Sequence, residues 1–83
     1  MSHVESPYRF VLGSDVERDG MFLELRREES GRRELLLEVF RSDADGALSF
    51  SAARPCDVPF GMVERFIARA RAELADPTGR KES

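Results

Sequence analysis

Apolar and polar residues alternate with a period of two along most of this chain, then change near residue 58 to a period of three to four. The first rhythm predicts strands and the second a helix. Tyr8 to Leu12 is a short apolar-aromatic run that reads as a first strand, and the Gly- and Asp-rich GSDVERDG that follows reads as a loop. Met21 to Arg27 and Arg33 to Arg41 form the second and third strands, folded back on one another at Ser30-Gly31.

Hydrophobic matching selects a register for that hairpin. A three-residue loop, Glu29-Ser30-Gly31, sets Arg26 against Glu34, Leu25 against Leu35, Leu23 against Leu37 and Met21 against Val39, so one face is wholly apolar. A two-residue turn would bring Leu23 beside Glu38 and mix the faces. The next turn, Asp43-Ala44-Asp45-Gly46, suits a four-residue loop closed by a left-handed glycine. It places Val39 opposite Phe50 and Leu37 opposite Ala52, with Ala47 to Ala53 as the fourth strand.

Asp57 is the expected helix N-cap, with Pro59 in the first turn. Val63, Phe66, Ile67, Ala70 and Leu74 then mark an amphipathic helix of about three turns. Asp76-Pro77-Thr78-Gly79 ends it, and residues 1–6 and 77–83 read as flexible termini. The expected fold class is α+β: a single two-layer domain over residues 1–83, a four-stranded antiparallel β-meander with one C-terminal α-helix packed on one face (ββββα).

The pattern leaves large apolar residues on both sheet faces. In the chosen register Phe22, Leu36 and Phe40 fall on the face away from the helix, among Glu24, Arg26, Glu34, Glu38, Ser49 and Ser51. An apolar patch rimmed by mixed charge reads as a protein interface, and a symmetric homodimer is its simplest form. The candidate interface is therefore Phe22, Glu24, Arg26, Leu36, Glu38 and Phe40. On this register Leu36→Glu separates the dimer and spares the fold.

Composition narrows the function further. At 83 residues, 41% of them hydrophobic and 35% charged, the chain suits one thin-cored globular domain. A net charge of −3 argues against nucleic acid and anionic membrane as partners. Arg supplies nearly all the basic charge, a bias that matches a GC-rich, bacterial genome. Cys56 is the only cysteine, so no internal disulfide forms and a cytoplasmic setting is expected. The first ten residues lack an export signal, and no run is long enough to span a membrane.

Catalytic chemistry finds little support. The one histidine, His3, sits in the N-terminal fray, and Cys56 has no structured histidine to activate it. Aligning Gly46 with the sixth position of a calcium loop puts Arg41 first and Ala52 twelfth, which fails. No metal or cofactor is expected, and the chain reads as a non-enzymatic interaction module of accessory, adaptor or antitoxin-like kind.

The alternative is a single-stranded nucleic-acid binder, using the sheet aromatics with Arg26 or the helix cations Arg65, Arg69 and Arg71. Four strands followed by a helix is similar to the unit of Whirly-like single-stranded-DNA-binding proteins, a likeness of element order alone. The three glutamates beside the aromatics give that face the wrong sign for phosphate.

Overall fold

A computed structural model describes residues 6–53 and 55–74. Strands β1 (Tyr8–Asp15), β2 (Gly20–Glu29), β3 (Arg32–Ser42) and β4 (Leu48–Ala52) form one antiparallel sheet in the order β1-β2-β3-β4, and helix α1 (Phe60–Leu74) packs on it. This is the expected α+β meander. Strands β1, β2 and β3 outrun their predicted lengths, because the first loop contracts to residues 16–19 and both β2 and β3 continue to the hairpin tip, whereas β4 stops one residue short of its expected bounds at each end. His3 and the residues taken as the helix stop lie outside the described residues, as do nearly all of the two expected flexible termini.

The β2–β3 register differs from expectation in an instructive way. Ser30 and Gly31 both have positive φ, 53° and 77°, and Glu29 pairs with Arg32, so the connection is the two-residue turn. Both central residues on the left-handed side give the turn whose twist matches that of the strands. Left uncorrected, this turn would set Leu23 against Glu38. A β-bulge corrects it: pairing shifts between Leu25 and Arg26, so that Leu36 is the extra residue on β3. Beyond the bulge Leu25 meets Leu37, Leu23 meets Val39 and Phe22 meets Phe40.

The bulge also relocates Leu36. It is 1% exposed and belongs to the core cluster with Leu23, Leu25, Leu37, Val39, Phe66, Ala70 and Leu74, so its placement on an open outer patch is corrected. Leu35, expected to be the inward partner of Leu25, is 37% exposed instead. The extra residue's carbonyl is not orphaned, since the Ala53 N–H donates to it at 2.8 Å.

The β3–β4 hairpin follows its prediction. Val39 pairs with Phe50 and Leu37 with Ala52, and Gly46 takes a φ of 72°. The helix starts later than its expected cap. The Pro59 carbonyl accepts the first helical bonds, from Met62 N–H at 2.9 Å and Val63 N–H at 3.1 Å, so Pro59 and not Asp57 stands at the cap position. Phe66, Ala70 and Leu74 face the sheet, and Phe66 meets Phe10 of β1 edge to face at 5.8 Å.

Candidate interaction surfaces

Three surfaces could engage something: the sheet face opposite the helix, the β2–β3 hairpin tip, and the flank where helix and β4 part. On the first, Phe22, Glu24, Arg26, Glu38 and Phe40 lie together as expected, without Leu36. Their side chains are already occupied. Phe22 lies across Gly13 on β1, so close that a Cβ there would sit 2.6 Å from its ring. Phe40 lies across Gly20 in the same way, and a side chain at Gly20 would strike both the ring and the Arg41 carbonyl. Each aromatic covers backbone that a glycine leaves bare.

Charge closes the rest of this face. Glu24 and Glu38 sit directly opposite one another, an arrangement that repels unless each is neutralised. Arg26 Nη2 lies 2.7 Å from Glu24 Oε1. Arg18 donates to both oxygens of Glu38 at 3.2 and 2.7 Å, and to Asp15 Oδ2 at 2.6 Å, while its guanidinium stacks 4.2 Å above the Phe40 ring. Hydrogen bonding from Arg18 holds the Asp15 carboxyl below its usual range, and the Glu38 and Asp15 carboxylates raise the Arg18 guanidinium. The outer aromatics are thus capped by glycine backbone and an arginine plane.

The hairpin tip carries a shallow depression of about 250 Å³ lined by Arg27, Glu29, Ser30, Arg32 and Glu34. Arg27 Nη2 reaches Glu34 Oε1 at 2.6 Å, and that bond raises the Arg27 guanidinium. With two cations and two carboxylates, the depression has no net charge to offer a ligand. The three helix cations do not form one cluster. At 100° per residue Arg65 and Arg69 lie about 40° apart around the axis, and Arg71 lies more than about 100° from both. Arg69 is engaged with Glu73 at 3.1 Å and lies 5.7 Å from the Phe10 ring.

The third surface is open. Four strands spaced about 4.8 Å apart are wider than one helix of about 10 Å diameter can cover. Phe66 and Arg69 lean to the β1 side, where both meet Phe10, so the opposite flank with Phe60 and Ile67 turns to β4. On β4 the register puts Leu48 and Phe50 on the helix side, in line with Arg41 and Val39. All four remain exposed: Leu48 45%, Phe50 58%, Phe60 75% and Ile67 42%. Phe50 was expected on the apolar sheet face and Ile67 on the apolar stripe of the helix, and Leu48 shares the face of Phe50. Nor does charge cover this edge, for GALSFSAA, residues 46–53, carries no charged residue in a chain that is 35% charged.

Among the described residues no group of three or more His, Cys, Asp or Glu is placed to hold a metal ion, and no helix is long and apolar enough to cross a membrane. Cys56 is exposed on the segment leading to α1. Comparison with protein-family models, curated proteins and solved structures returned no match.

Proposed function

We propose that this protein works by contact with protein and not by catalysis, and that it receives an extended polypeptide segment along the free edge of β4, over the apolar strip Leu48, Phe50, Phe60 and Ile67. The observation that carries this reading is the conjunction of an unprotected edge with that strip. Edge strands in soluble proteins are blunted by charge, proline, bulges or a covering element, and β4 has none of these along Leu48–Ala52. A strand added there pairs its backbone with the edge and lays alternate side chains on the strip. Such a module fits an accessory, adaptor or antitoxin-like role in a cytoplasmic setting, where a lone exposed thiol stays reduced.

The nucleic-acid alternative has less support. Its stacking aromatics are covered by glycine backbone and Arg18, while on the helix Arg71 points away from Arg65 and Arg69 and Arg69 is paired with Glu73. The test of the contact reading is a photo-crosslinking side chain at position 60, expressed in the source cell. It should give a discrete adduct of protein mass that Phe50→Asp suppresses, while the same group at Arg9, on the outer face, gives none. Equal labelling from both positions, or none from position 60, refutes it.

A further inference from the structure

We infer that the segment received by β4 is β4 of a second copy of this chain, paired antiparallel about a twofold axis through Phe50. The inference rests on the contact reading above and names its partner. The backbone states which groups are free. Ser42 N–H donates to the Ala47 carbonyl at 3.0 Å and Ala53 N–H to the Leu36 carbonyl at 2.8 Å, so the Ala47 carbonyl and the Ala53 N–H both point to β3. Antiparallel ladders alternate. Ser49 and Ser51 therefore also bond inward, and the N–H and C=O groups of Leu48, Phe50 and Ala52 point to the open edge.

That set is symmetric about Phe50. A twofold axis there opposes Phe50 to Phe50 and Leu48 to Ala52, and each of these is a hydrogen-bonded pair, giving roughly six new bonds. The side chains agree with the backbone. Serines flank Phe50 on both sides and meet one another on the outer face, while Phe50, Leu48 and Ala52 of both copies meet on the helix side.

Charge decides for a second copy over a foreign strand. A twofold brings like groups together, so two copies with a net charge of −3 can meet only where the surface is neutral or self-complementary. Residues 46–53 are neutral. On the helix flank Glu64 and Arg71 stand on either side of Ile67 along the axis, with opposite signs, so antiparallel helices lay Glu64 of one copy toward Arg71 of the other. The area is sufficient. With Phe presenting about 150 to 250 Å², the four exposed side chains offer roughly 400 Å² per copy. The strand edge then carries both copies past the roughly 1,000 Å² total of a specific interface.

Sedimentation of the purified full chain tests this. Ala52→Pro is the decisive variant, because the Ala52 N–H faces the open edge; the proline leaves the β3 ladder and the apolar strip intact and blocks only the added strand. Wild type should be dimeric at about 100 µM and Ala52→Pro should weaken association at least about tenfold. In a Cys56→Ala background, Phe50→Cys should oxidise to a linked dimer. Ala52→Cys should not, since its two copies lie about 13 Å apart along the strands. A monomeric wild type, a dimer indifferent to Ala52→Pro, or linkage through position 52 and not 50 overturns the inference. A monomer that still crosslinks from position 60 to another protein removes the second copy and leaves the contact reading standing.

Discussion

Leu35 and Leu36 are chemically identical neighbours, and the bulge makes their fates opposite. Replace each in turn with alanine. Leu36 is 1% exposed within the core cluster, so truncation removes buried methyl groups and leaves a cavity that the two layers only partly close. The expected cost is about 3 kcal/mol, within the usual range of about 2 to 5 for buried leucine. Against a total of about 4 to 12 kcal/mol for a domain of this size, that is a large share. Leu35 is 37% exposed, and its truncation should cost less than about 1 kcal/mol. Urea titration followed by far-ultraviolet circular dichroism reads the difference. With a slope near 1 kcal/mol per molar, the midpoint for Leu36→Ala should fall by about 2 to 3 M and that for Leu35→Ala by less than about 1 M. Both variants are compared at one protein concentration, since self-association would add to apparent stability. The straight ladder inferred from hydrophobic matching predicts the reverse order, with Leu35 inside. If Leu35→Ala proves the more costly, the bulge is wrong, and every assignment of faces beyond it falls too. Leu36→Glu sharpens the contrast: a carboxylate there is buried without a partner, so the chain should fail to fold rather than fold as a monomer.

Gly20→Ala should destabilise strongly, more than Gly13→Ala, because a Cβ at 20 meets the Arg41 carbonyl as well as the Phe40 ring, whereas at 13 it meets only the movable Phe22 ring; thermal melts of the two variants decide. The Asp15 carboxyl is held below its ordinary value by Arg18, so its contribution is present above about pH 4, the unfolded value, and is lost as pH falls through the lower folded value. Arg18→Gln should flatten that acid limb in a pH series of melts; an unchanged limb would show that the pairing is immaterial. Binding to a single-stranded oligonucleotide should be no tighter than about 10⁻⁴ to 10⁻⁶ M at physiological salt, and a submicromolar, salt-sensitive complex would restore the nucleic-acid reading.

Much of the fold was legible because alternation and turn chemistry act locally. The Asp43-Ala44-Asp45-Gly46 loop fixed the β3–β4 register through one left-handed glycine, and the Phe66–Ala70–Leu74 spacing located the helix. The β2–β3 register was misread for a physical reason. The two-residue turn at Ser30-Gly31 was set aside because a straight ladder from it mixes the faces, and only a bulge reconciles that turn with face matching. Three successive leucines, Leu35 to Leu37, were the available signal, because strict alternation cannot bury two adjacent residues and a bulge can.

The difference between a residue's face and its exposure has another origin. Periodicity assigns a residue to a face, but says nothing of how far across that face a covering layer extends. Phe22 and Phe40 are large apolar residues on the face without a helix, yet Gly13, Gly20 and Arg18 enclose them within the chain. Phe50 is on the face with the helix, yet it stays 58% exposed because α1 leans toward Phe10 and β4 lies beyond its reach. A single helix on four strands leaves an inner strip bare by geometry alone, whichever residues occupy it. Polar residues would have made that strip harmless at no cost to the fold. Leucine, phenylalanine and isoleucine there, beside an uncharged edge, are the residues on which the proposed contact with a second copy rests.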